Sequence, residues 1–173
     1  MNKEEVHTEL LTKLKFNSDD LRKLSIFYDE LLRFNKKYNL ISKSTELHVW
    51  DRHILDSAQL VRYIDFDKDK SLSDMGSGAG FPGIVLAIFN KNPKFHVKLY
   101  DKSNIKCDFL DNIRNKLDIE YDVLGKYQNE EIRSEYVVCR AFKKLEEILR
   151  ISREIIKVKH KLIILKGKNA EQE

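Results

Sequence analysis

The stretch "LSDMGSGAGFPGIVLAIF", Leu72 to Phe89, decides how the rest of the chain is read. Four glycines and a proline fall between Asp74 and Gly83, although the whole chain of 173 residues has only 6 Gly and 2 Pro. A short apolar run ending in a glycine cluster, followed by Pro82 and a second apolar run, reads as strand, tight turn and helix. Gly76, Gly78 and Gly80 let the backbone turn sharply and bring bare peptide close to a ligand, and Pro82 suits a first helical turn. In an open parallel sheet, ligands bind at such a carboxyl edge.

Outward from this turn, "HVKLYD", "EYDVL", "EYVVCR" and "HKLIILK" read as further strands. Helical patterns lie between them, from Pro82, from Asn104 to about Leu117, and from Leu145 to Val158. Strands alternating with helices predict βαβ units, a parallel sheet and the order 3-2-1-4-5. Upstream, residues 1–64 read as a small N-terminal helical subdomain. One helix starts at Ser18 behind a cap at Asn17, with apolar positions Leu21, Leu24, Tyr28, Leu31, Leu32 and Tyr38. A second is expected from about Thr45 to Ile64, with Leu47, Trp50, Ile54, Ala58 and Val61 inward. Residues 65–71, "DFDKDKS", form the linker, and residues 72–173 the ligand-binding domain.

Composition narrows the function classes. The longest apolar stretch, "FPGIVLAIF", is too short for a membrane helix, which needs roughly 20 residues, and "MNKEEVHTEL" is no secretory leader. A cytoplasmic protein is expected. Cys107 and Cys139 lack metal or redox spacing, and no metal is expected. Lys plus Arg against Asp plus Glu is 13 to 13 over residues 1–70, 8 to 9 over 71–132 and 11 to 6 over 133–173. The positive excess is carboxy-terminal and suits a phosphate-binding surface.

The residues from Gly78 to Gly83 also fit G-x-G-x-x-G, so a dinucleotide competes with other nucleosides. Asp74 favours a cationic ligand, because a carboxylate beside the turn repels pyrophosphate and attracts ammonium and sulfonium groups. S-adenosylmethionine carries both. Asp101 closes the next strand, where a carboxylate can accept from both ribose hydroxyls. The plainer alternative is that both aspartates cap helices.

The segments "YNLISKSTELHVWDRHILDSAQL", "LSDMGSGAGFPGIVLAI", "VKLYDKSNIKCDFLDNI", "VVCRAF" and "IILKGK" resemble, in order, the motifs of the RsmG family, also called glucose-inhibited division protein B. The resemblance covers roughly residues 20–168. It implies a Rossmann-like SAM-dependent methyltransferase fold, α/β, with a parallel sheet and helices on both faces. It also implies methyl transfer to N-7 of a guanine in 16S rRNA of the small ribosomal subunit.

On the cofactor side the resemblance implies Asp74, Gly76, Ser77, Gly78, Gly80 and Phe81 at the methionine part, Asp101 at the ribose, Ser103 beside the adenosine, and Lys126, Tyr127 and Arg140. On the substrate side it implies Asn39, Arg52, His53, Asp56, Arg140 and Lys166, with Lys143 and Lys144 among the basic groups near phosphate. Ordinary alternatives exist: Asn39 as a helix cap, Arg52 with Asp56 as an i,i+4 pair. The chain departs from the family pattern at Ile41, where Thr is common, and at Lys126 and Gln128, where Arg and Glu flank the adenine. It also stops at "KGKNAEQE", where the family continues with a helix and a hairpin, so the last strand is expected at an edge open to pairing with a second copy. A complete chain is expected to be a monomer. The rival readings are a methyltransferase of the same fold acting on a small molecule or protein, and a non-catalytic nucleotide-binding module.

Overall fold

The computed structural model describes residues 1–125, 131–140 and 144–166. The chain opens with two helices that begin in the same way. In α1 (Lys3–Lys13), Asn2 Oδ1 accepts from the Glu5 N–H at 2.9 Å and Glu5 Oε2 accepts from the Asn2 N–H at 2.9 Å. In α2 (Ser18–Tyr38), Asn17 and Asp20 make the same reciprocal pair. Such boxes satisfy N–H groups that have no partner within the helix. The cap at Asn17 is legible in the sequence; α1 is a helix that the sequence reading does not separate out.

The expected stripe of α2 faces the core at every position but Tyr38, with its most enclosed line along Leu24, Phe27 and Leu31. Leu24, Phe27 and Leu31 are enclosed together with Glu30 and Asn35, whereas Leu21, Tyr28 and Leu32 are half-buried and Tyr38 is exposed. Phe27 reaches both Phe81 and Phe109, with ring centroids 5.1 and 6.4 Å away. Glu30 can turn inward because Lys116 and Arg33 both donate to it.

The expected single α-helix from Thr45 to Ile64 is corrected. The segment is a 3-10 helix over Lys43–His48, a π-helix over Trp50–Leu55, a short α3 (Asp56–Ala58) and a second 3-10 helix over Gln59–Tyr63. These changes of pitch shift the inward stripe. Leu47 is 93% exposed, Val61 is half-buried and Leu60 is buried, while Trp50, Ile54 and Ala58 stay inside as expected. Trp50 is held between His7 and Tyr28, at ring-centroid distances of 4.7 and 5.7 Å.

The sheet runs β1 (Ser71–Met75), β2 (His96–Tyr100), β3 (Asp122–Leu124), β4 (Tyr136–Arg140) and β5 (Lys161–Leu165), in the spatial order β3-β2-β1-β4-β5 with every pairing parallel. This is the predicted order. The connecting helices are α4 (Gly83–Phe89), α5 (Asn104–Leu117) and α6 (Leu145–Ile155). The last ends three residues short of the expected Val158, because the chain there leaves the helix and Ile156 bridges to Ile132.

Alternation along the strands sorts the core into two faces. Leu72, Val97, Leu99, Tyr136 and Val138 join the buried groups of α1, α2, α4 and α5 in one cluster, and Met75, Tyr100, Val137 and Cys139 join Ile148 and Ile151 of α6 in another. Helices thus cover both faces. Among the described residues β5 is an edge strand and only half-buried, less enclosed than its apolar sequence suggests.

Candidate active site

After β1 the backbone takes positive φ at Gly76, Gly78 and Gly80, at 75°, 58° and 94°. The Gly76 and Ser77 N–H groups both donate to the Tyr100 carbonyl, at 2.8 and 2.9 Å, which fastens the turn to the end of β2. The glycines then divide by what surrounds them. A Cβ on Gly83 would lie 2.1 Å from Leu99 Cδ2 and 2.7 Å from Asp74 Oδ2, so that glycine exists for packing. A Cβ on Gly78 would meet nothing nearer than the Gly76 carbonyl at 3.8 Å and Lys106 Nζ at 4.0 Å. A side-chain carbon at Gly78 would make only ordinary contacts, so there is room beside this backbone for a ligand to approach.

Asp101 joins the two loops that frame this space. Its Oδ2 accepts from the Gly78 N–H and its Oδ1 from the Ser103 N–H, each at 2.9 Å, while Lys106 Nζ lies 4.0 Å from Oδ2. Each carboxylate oxygen has a second acceptor direction left for a hydroxyl. The N-cap of α5 is Ser103, whose side chain makes no capping bond, and Asp101 instead accepts from the N–H of that N-cap residue. Lys106 is a residue that sequence reasoning misses; its signal is its position in the first turn of α5, two residues after "DKSN".

Asp74 is fully enclosed, with 0% exposure. Its Oδ2 accepts from the Gly83 N–H at 2.9 Å, and its Oδ1 has no hydrogen-bond partner. Burial pushes the carboxyl up to about 7, against the Gly83 N–H and the Arg140 charge, which favour its ionised form. A buried carboxyl oxygen left without a donor is costly, and a cation or N–H donor arriving there would relieve it. Ser77 is also buried, and its hydroxyl donates to the Asp74 carbonyl at 3.0 Å.

The expected substrate-side residues come together only in part. Arg140, at the end of β4, places Nη1 2.6 Å from His53 Nδ1 and donates to the Arg52 carbonyl at 3.3 Å. The His53 ring stacks on Phe81 of the glycine turn at 5.1 Å and 24°, and the Arg140 guanidinium lies 5.0 Å from the same ring. Arg52 and Asp56 are exposed and form no ion pair with each other among the described residues. Partial burial raises the Asp56 carboxyl, with Arg140 opposing.

Asn39 is the exposed C-cap of α2, with φ 49°, so the helix-cap alternative describes its backbone. Lys166 directly follows β5, and Lys144 is the N-cap of α6. Lys126, Tyr127 and Lys143 lie outside the described residues. Burial raises both thiols, Cys139 to about 12, and no group of three or more His, Cys, Asp or Glu gathers as a metal site among the described residues. No helix among them is long and apolar enough to cross a membrane.

The His53 contacts carry a pH signature. Burial pushes its imidazole down to about 4, with the Arg140 charge adding to the effect and Asp51 opposing it. A base whose folded pKa lies below the unfolded value of about 6.5 contributes stability that is complete above that value and is lost as pH falls toward 4. Wild type should therefore gain stability relative to His53→Asn as pH rises from 4 to 6.5, on the order of 1–2 kcal/mol after allowing for partial exposure, and none above. Urea midpoints at four pH values check this; a constant difference would mean that the ring does not titrate in that window.

Comparison with known proteins agrees with this arrangement. The family profile described as rRNA small subunit methyltransferase G matches residues 20–173. The Ribosomal RNA small subunit methyltransferase G of Rickettsia felis is 40% identical over 150 residues, covering 86% of this chain and 76% of that protein. Its counterpart in Rickettsia prowazekii is 38% identical over 157 residues, covering 90% and 80%. Among solved structures, a Plasmodium falciparum protein provisionally assigned as a protein-L-isoaspartate O-methyltransferase, in complex with S-adenosyl-L-homocysteine, aligns with a TM-score of 0.54 at 18% identity over 97% of this chain and 86% of that one. The YcgJ protein of Bacillus subtilis aligns at 0.52 with 12% identity, over 65% and 50%. The structural likenesses establish the methyltransferase-type fold, and the sequence matches establish more: this chain belongs to the rRNA small subunit methyltransferase G family.

Proposed function

We propose that the chain transfers a methyl group from S-adenosylmethionine to N-7 of a guanine in 16S rRNA, acting on the small ribosomal subunit in the cytoplasm. The observation that carries the reading is the glycine turn clamped by Asp101, with Gly78 open to a ligand, in a chain of this family.

The residues fit the cofactor. The unpartnered, enclosed Asp74 Oδ1 suits the cationic methionine end, with Gly76, Ser77, Gly78 and Phe81 of the same turn expected to contact the cofactor and Gly80 giving the turn room against Ile84. Asp101 has acceptor capacity for the ribose, with Ser103 next to it. When bound, the cofactor supplies a methyl group already activated by its sulfonium. Guanine N-7 presents an in-plane lone pair and has no proton to lose, so the protein needs no general base. Its task is alignment, and holding the acceptor in line contributes several kcal/mol. Asn39, Arg52, His53, Asp56, Arg140 and Lys166 serve the RNA side, where cationic groups meet phosphate and the base is taken unpaired.

Incubation with labelled S-adenosylmethionine and undermethylated 30S particles, beside naked 16S rRNA, tests the proposal. One labelled guanine, mapped to N-7, is the expected result. Cofactor binding without label in either RNA sample would overturn it in favour of a small-molecule or protein substrate. Light scattering at rising concentration, on the same preparation, reads a constant monomer mass if the β5 edge stays unpaired.

A further inference from the structure

Three elements converge on one aromatic ring. The π-helical turn brings His53, the glycine turn brings Phe81, and β4 brings Arg140. A guanidinium has donors only and stays charged, so His53 Nδ1 is the acceptor in its contact with Arg140. That assigns the ring proton to Nε2, which is buried and unpartnered. The acceptor matters as much as the contact. A carboxylate in this place would hold Arg140 equally well but would cancel its charge, and the long, flexible side chain would then have little left for an anion. A neutral imidazole fixes the guanidinium and leaves the positive charge whole. Burial draws the guanidinium below its ordinary value, and Asp74 and Asp56 oppose this by longer-range attraction alone. The backbone carbonyl of Arg52, also uncharged, is the second acceptor.

We infer that His53 is a positioning residue whose Nδ1 holds the Arg140 guanidinium against Phe81 at the carboxyl edge of the sheet, with its charge available to an RNA phosphate. The inference rests on the proposed RNA substrate. His53 serves the RNA side through Arg140.

Filter binding of undermethylated 16S rRNA across a salt series tests it, with folded variants identified by circular dichroism and Tm. His53→Ala should weaken binding about tenfold and flatten the slope of log affinity against log salt by about 0.7, the loss of one phosphate contact to a single strand. Arg140→Ala should do the same, and the double variant should be no weaker than Arg140→Ala alone. His53→Asn puts an amide oxygen where Nδ1 stood and should bind like wild type. Should His53→Ala not fold, His53→Gln, which lacks an acceptor at that position, replaces it. Wild-type binding and slope in His53→Ala, or losses that multiply in the double variant, overturn the inference.

If wild type binds no rRNA, the RNA reading fails by itself, and the positioning is decided on the protein alone. Phenylglyoxal should then modify Arg140, mapped by mass spectrometry, several-fold faster in His53→Ala than in wild type or His53→Asn. Equal rates would overturn it.

Discussion

Replacing Phe27 by alanine is expected to cost about 3–5 kcal/mol, the range for deleting a fully buried aromatic side chain. Phe27 has 0% exposure, and its ring meets Phe81 from the cofactor turn and Phe109 from α5. The hole would open where three elements meet, and a ring fixed on one side by the sheet and on the other by the Trp50–Leu55 turn has little room to collapse into it. At roughly 2–4 °C per kcal/mol for a chain of this size, Tm should fall by about 10 °C. Phe34→Ala is the control, because Phe34 also contacts Phe109, at 5.1 Å, but is only half-buried. Equal losses in the two variants would show that Phe27 does not join the helices to the turn.

Asp101→Ala is expected to weaken S-adenosylmethionine binding about 100-fold in calorimetry. Loss of hydrogen bonds to one charged group costs about 1.5–3 kcal/mol. Two effects combine here: the proposed ribose acceptor disappears, and the Gly78 and Ser103 N–H groups lose the carboxylate that holds the two loops at a fixed separation. Asp101→Asn keeps a single acceptor oxygen and should fall between wild type and Asp101→Ala. An unchanged affinity in Asp101→Ala would remove the residue from the site.

The parts of this molecule that could be read in advance are those fixed by local chemistry. The turn from Gly76 to Gly83, the cap at Asn17 and the five strands follow from side chains a few residues apart, and the strand order follows from the handedness of parallel crossovers. The inward face of α2 was legible from its apolar stripe, but the burial of Glu30 on it was not, because that depends on Lys116 approaching from α5. Leu47 looked like a core residue on a uniform helix and is exposed because the helix is not uniform. In the site, Asp101 and the glycines could be placed from sequence. The enclosure of Asp74 and the seating of Arg140 on His53 and Phe81 could not, since each requires knowing which distant element closes over the turn.

The wide turn at Trp50–Leu55 has the shape left by one extra residue in an α-helix. Remove one residue there, and the segment on its amino side would swing by about 100° and slide by about 1.5 Å relative to the segment on its carboxyl side. Trp50 must sit between His7 and Tyr28 while His53, three residues on, lies flat on Phe81. A regular helix can meet one of these walls and misses the other. The surplus residue acts as a phase adjuster, letting one rod fit two surfaces whose angular offset no 3.6-residue repeat supplies. A one-residue deletion within this turn should be far more damaging than any single substitution of its exposed residues.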